Sequence, residues 1–153
     1  MKSFLSLRPR QWLARDMSRR FSTGSTFEHI QVKSKGTALW VTMARPSLHN
    51  AFNEHVIDEL TRAFTAIDSN KHRSVVLTGE GSSFSAGADL NWMKKMVDYS
   101  EKDNFRDSLA LFDMVNSIKS CPLPVIGRVN GAALGGGAGL VAACDIAYSL
   151  DTA

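Results

Sequence analysis

Cysteine is scarce: Cys121 and Cys144 are the only two among 153 residues. Neither sits at metal-ligand spacing, so no disulfide framework and no cysteine-held metal are expected, and the pair reads as reduced, buried thiols of a non-oxidising compartment. Long apolar runs are missing too. No stretch approaches the roughly eighteen residues that mark a membrane-spanning helix, so no membrane partner is expected. The four histidines, His29, His49, His55 and His72, are scattered without a paired ligand or base signature. Basic charge is present, +3 over the chain, but it is unevenly spread. Residues 1–20 hold six lysines and arginines against one acid, Asp16, which leaves twelve basic and fourteen acidic side chains for the rest, a net charge of −2. The body therefore lacks the basic footprint of a nucleic-acid-binding domain.

The opening "MKSFLSLRPRQWLARDMSRRFSTGS" interleaves arginines with serines and apolar residues. That is the composition of a mitochondrial transit peptide, expected over 1–24, with a disordered basic tail or nucleic-acid arm as the other reading. The body, 25–153, begins with two alternating stretches, "FEHIQVKS" and "GTALWVTM", on either side of a Lys35-Gly36 turn, which predict an antiparallel hairpin. "NEHVIDELTRAFTAID" follows with Val56, Ile57, Leu60, Phe64 and Ile67 on one helical face. "SVVLTG" (74–79) predicts a strand, and "GADLNWMKKMVD" a helix with a stripe of Leu90, Met93 and Val97. A longer helix over 101–119 is expected to turn Phe105, Leu109, Phe112 and Val115 to the core. "PVIGRVNG" predicts another strand, and "GAALGGGAGLVAACDIAYS" a turn, a helix and a last strand over 145–149. Strands and helices alternate, so the fold class is α/β.

Two glycine-bearing segments stand out, "FSAGADL" (84–90) and "LGGGAGL" (134–140). "GAGLVA" (137–142) matches the dinucleotide pattern G-x-G-x-x-A, but the acid that should follow about twenty residues later is not in the sequence, and Gly135 and Gly136 are left unexplained. If both segments turn bare backbone N–H groups into one cleft, they can hold a carbonyl oxygen that gains negative charge, helped by the positive end of a helix starting near Gly136. Close packing of helix on strand would use the same glycines.

"FSAGADL" and "GAALGGGAGLVAACDIAYS", preceded by "ARPSLHNAFNEHVIDEL" and "VVLTGEGSSF", resemble the crotonase superfamily of enoyl-CoA hydratases and isomerases, over essentially all of 27–153. The resemblance implies a spiral of ββα turns, here the N-terminal part, truncated before the C-terminal helical region. It also implies an acyl-CoA thioester substrate, no cofactor beyond that CoA, and a homotrimer or hexamer. The thioester oxygen would be held by the backbone amides of Ala88 and Gly136. Ser47, Ala51, Phe52, Ala86, Asp89, Leu90 and Gly135 would line the path of the CoA and pantetheine. Gly139 stands where hydratases of this superfamily usually carry their first glutamate, and the second would lie beyond Ala153. Within the superfamily, "SAGADLNWMKKM" with "GGGAGLVAACDIA" most resembles the methylglutaconyl-CoA hydratase branch of leucine breakdown in the mitochondrial matrix. Addition of water to an enoyl-CoA is the expected reaction. Isomerisation, or a silent form that only binds CoA or partner subunits, is the alternative.

Overall fold

The structure, a computed structural model, describes residues 27–150. The segment read as a transit peptide lies outside them. Strand β1 (Ile30–Lys35) and strand β2 (Ala38–Met43) form the expected antiparallel hairpin, with Ile30 opposite Met43 and Lys35 opposite Ala38. Alternation decides its faces: Leu39, Val41 and Met43 are buried while Ala38, Trp40 and Thr42 are half-buried. A 3-10 turn (Pro46–Leu48) leads into helix α1 (Glu54–Thr65). The Asn53 side chain caps α1 by accepting the Val56 N–H at 3.2 Å. Val56, Ile57, Leu60, Ala63 and Phe64 form its buried face, each large side chain contributing about 1.5–3 kcal/mol by leaving water.

Strand β3 (Ser74–Gly79) is buried along almost its whole length, as a central parallel strand should be. It is followed by a short strand β4 (Ser83–Ser85), helix α2 (Leu90–Met96), helix α3 (Glu101–Lys119) and strand β5 (Val125–Val129). The last elements are β6 (Ala132–Ala133), α4 (Gly136–Ala143) and β7 (Ile146–Ser149). The main sheet runs β1-β2-β3-β5-β7, parallel from β2 onward, and β4 pairs with β6 in a separate parallel sheet. Helices α1 and α3 pack together on the core built from Val41, Leu60, Phe64, Leu77 and Val125.

The structure corrects the expected orientation of two helices. In α3 the buried residues are Met114 and Ile118, while Phe105, Leu109 and Phe112 stay 70%, 48% and 62% exposed. In α2 the buried side chain is Trp92, and Leu90, Met93 and Val97 face outward. Each helix carries two apolar stripes, and its contact with the core selects the one that lies beside α1 or the sheet.

Cys121 and Cys144 are unpaired and half-buried rather than fully buried. Burial, reinforced by Asp145, pushes the Cys144 thiol up to about 11, and burial likewise raises Cys121. Neither is a thiolate nucleophile at neutral pH.

Candidate functional site

Three loop segments meet where the two glycine stretches approach each other. Phe52 and Ala88 form an isolated parallel bridge. The Phe52 N–H donates to the Gly87 carbonyl at 2.8 Å, and the Asp89 N–H donates to the Phe52 carbonyl at 2.9 Å. That pattern turns the N–H of Ala88 itself away from Phe52. Gly87 has φ +86°, and a Cβ added there would lie 2.7 Å from the Leu134 carbonyl oxygen and 2.9 Å from the Gly136 nitrogen. Only glycine allows this approach, which sets the Ala88 segment against the first turn of α4. Gly136 is equally constrained, since a Cβ on it would collide with Cζ of Phe52.

The Gly136 N–H is one of the donors that any helix leaves unpaired at its start. Within the described residues neither it nor the Ala88 N–H donates to another group. Two small-residue amides from different segments are therefore brought together at the positive end of α4. An oxygen that gains negative charge is the ligand such a pair suits.

Ser85 holds the three segments in register. Its hydroxyl donates to the Asn50 carbonyl at 2.9 Å and accepts the Gly87 N–H at 3.2 Å, while its carbonyl accepts the Leu134 N–H at 2.9 Å. Asn50, at φ +54°, donates through Nδ2 to the carbonyls of Glu80 and Ser83, both at 2.8 Å. Neither residue stands out in the sequence, where each reads as an ordinary polar loop position.

The other residues implied by the resemblance divide by environment. Ser47, Ala86, Leu90 and Gly135 are exposed, whereas Ala51 and Phe52 are buried and form the support beneath the amides. Asp89 is buried, and its carboxylate is taken up by its neighbours. Its carboxylate accepts the Asn91 N–H at 2.9 Å, capping α2, and meets Arg45 Nη2 at 3.0 Å. Burial alone would raise its pKa, but the Asn91 amide and the Arg45 guanidinium outweigh that and hold it below the ordinary 3.8. Arg45 also donates through Nη1 to the Ala51 carbonyl at 2.6 Å, which ties the ion pair to the Phe52 segment.

At Gly139 a Cβ would meet nothing within 4 Å. The position is open, one turn along α4 from Gly136, and carries no acid. Gly139→Ala is expected to raise stability by about 0.5–1 kcal/mol, because it removes backbone entropy from an unobstructed helical site. A urea-unfolding midpoint checks this.

The sequence model of the enoyl-CoA hydratase/isomerase family matches residues 33–153. The chain belongs to this family. Within it, the mitochondrial enoyl-CoA hydratase of Pongo abelii is 36% identical over 136 residues, covering 86% of this chain and 45% of that protein. The mitochondrial Delta(3,5)-Delta(2,4)-dienoyl-CoA isomerase of Mus musculus is 34% identical over 157 residues, covering 94% and 48%. Among solved structures, a Legionella pneumophila protein described under the crotonase name is 42% identical with a TM-score of 0.76, over 81% of this chain and 48% of the other. The expected fold is borne out by that likeness. As a member of the enoyl-CoA hydratase/isomerase family, the chain spans about half the length of the relatives it matches.

Proposed function

We propose that this chain contributes the oxyanion-binding half of a mitochondrial matrix enzyme that adds water to an α,β-unsaturated acyl-CoA, with methylglutaconyl-CoA of leucine degradation as substrate. The approach of the unused Ala88 and Gly136 amides across the Gly87 contact carries this reading. The thioester oxygen accepts both N–H groups. As the water oxygen bonds to the β carbon and gives up a proton, the C=C electron pair shifts toward the thioester carbonyl, the two amides stabilise the negative charge that develops on its oxygen, and a proton delivered to the α carbon completes the addition. Each such donor contributes about 2.7–4 kcal/mol in the transition state. Ser47, Ala86, Leu90 and Gly135 flank the CoA and pantetheine, with Ala51, Phe52 and Asp89 fixing the wall behind them. No cofactor beyond the CoA of the substrate is needed. Residues 1–24 act as the matrix address, and the protein works as a homotrimer or hexamer.

A second reading is favoured by one observation. Gly139 supplies no acid, and the carboxylate nearest the amides in sequence, Asp89, is already committed to Arg45 and Asn91. A form that binds acyl-CoA without hydrating it fits that arrangement, as does an isomerase in which a single acid moves the proton.

Gly136→Val tests the main reading in the full chain. The new side chain displaces the Phe52 ring and closes off the amide, so hydration of methylglutaconyl-CoA or a short enoyl-CoA should fall by at least about a hundredfold. Unchanged turnover would overthrow the amide assignment. Thioester binding with no hydration by the wild-type chain would favour the silent form, and migration of a double bond the isomerase.

A further inference from the structure

Arg45 belongs to neither glycine segment, yet its guanidinium touches both sides of the Phe52–Ala88 bridge. Nη1 donates to the carbonyl of Ala51, the residue before Phe52, at 2.6 Å. Nη2 meets Oδ2 of Asp89, the residue after Ala88, at 3.0 Å. The two charged side chains are only 15% and 10% exposed, so salt screens them weakly. Among the described residues no other ion pair engages Asp89, and its second oxygen is taken by the Asn91 N–H at 2.9 Å. Arg45 is itself anchored: its N–H donates to Asn50 Oδ1 at 3.0 Å, and its carbonyl accepts the N–H groups of Leu48 and Asn50 at 3.0 and 2.9 Å.

What these contacts hold is a direction. In a trans peptide the C=O and the N–H point opposite ways. The Gly87 carbonyl and the Ala88 N–H share one peptide plane, and that carbonyl accepts the Phe52 N–H at 2.8 Å. The next plane carries the Asp89 N–H, which donates to the Phe52 carbonyl at 2.9 Å. Phe52 therefore aims both planes, and a turn of its segment relative to Asp89 swings the Ala88 N–H off line. The Arg45 fork opposes that turn by gripping the residues on either side of the bridge at once. A planar guanidinium presents its donors at a fixed separation, which a lysine ammonium does not. On the reading that the Ala88 and Gly136 amides hold the thioester oxygen, we propose that Arg45 is the positioning residue that fixes the aim of the Ala88 N–H. Its effect is confined to that amide. Among the described residues no hydrogen bond or ion pair of the Arg45 side chain reaches α4, where the Gly136 N–H is oriented by the start of the helix.

Amide NMR of the isotopically labelled full chain tests this with butyryl-CoA, a saturated thioester that can be bound but not hydrated. In the wild type the amide protons of both Ala88 and Gly136 should move downfield as the thioester oxygen accepts them. In Arg45→Lys, at saturating thioester, the Gly136 shift should persist while the Ala88 shift falls by at least about half, because one ammonium cannot span both acceptors as the fork does. Asp89→Asn keeps an oxygen for the Asn91 N–H and gives up the charge that Arg45 meets, and it should act in the same selective way. A dispersed spectrum shows that a variant is folded, and both substitutions conserve size. Undiminished shifts at both amides in a folded variant overturn the role of Arg45 and leave the amide pair standing. An equal loss at both amides overturns it as well, since the pair would then be loosening the whole site. If neither proton moves in the wild type, the amide reading itself falls, and the positioning role falls with it.

Discussion

Gly87→Ala is expected to destabilise the fold by about 3 kcal/mol or more and, through the proposed amide site, to lower enoyl-CoA hydration by at least about a hundredfold. Two independent costs add in the stability. At φ +86° an L side chain is strained, a penalty of order 1–3 kcal/mol. The new methyl would also press on the Leu134 carbonyl and the Gly136 nitrogen at 2.7 and 2.9 Å, and overpacking of that kind costs about 1–3 kcal/mol. The strain can be relieved only by separating the Ala88 segment from α4, which spreads the two amides. The contrast with Gly139→Ala is diagnostic. The same chemical change, in the neighbouring segment, is expected to stabilise because nothing stands within 4 Å. Urea midpoints of the two variants should therefore move in opposite directions, and equal shifts would show that the close approach at Gly87 is not what fixes the site.

Glu59→Gln should cost about 2–4 kcal/mol. Glu59 is 5% exposed, and its two oxygens accept three backbone N–H groups. The His29 ring adds a fourth contact at 3.2 Å. A glutamine offers one acceptor oxygen and turns an NH2 group toward donors, leaving at least one buried amide unsatisfied. The loss is pH-dependent in a definite sense. Burial alone would raise the Glu59 pKa, but the amides of Glu28 and His29, with the His29 ring, outweigh it and hold the carboxyl below its ordinary 4.5. Its stabilisation is therefore complete above about pH 4.5 and falls away as the pH drops toward the folded-state value. Wild type should lose stability in that acid window more steeply than Glu59→Gln, as measured by thermal midpoints from pH 6 down to 3. Parallel profiles would rule out the carboxylate as the source.

Periodicity made the hairpin, α1, β3, α3 and β5 legible, because each is long enough for apolar residues to repeat at two or at 3.6. The same signal gives the phase of a stripe and not its direction. Helix α3 shows the limit: Phe105, Leu109 and Phe112 repeat as well as Met114 and Ile118 do, and only packing against α1 selects the second set. Strands β4 and β6, of three and two residues, are too short for any alternation to register. In the candidate site, Ala88 and Gly136 were readable through the resemblance. Gly87, Ser85, Asn50 and Arg45 were not, since their parts depend on partners distant in sequence.

The pairing of β4 with β6 also sets the order of assembly. The two amides follow β4 and β6 directly, and these strands are joined by a crossover, residues 86–131, that contains α2, α3 and β5. Parallel strands cannot pair until such a crossover closes, and its entropy must be overcome before the contacts at Ser85 and Gly87 reward it. The β1–β2 hairpin and α1 need only local contacts. A chain emerging from the ribosome would thus present a folded hairpin and helix while the Ala88 and Gly136 amides were still apart. They come together in one late step, when the first turn of α4 arrives against Gly87.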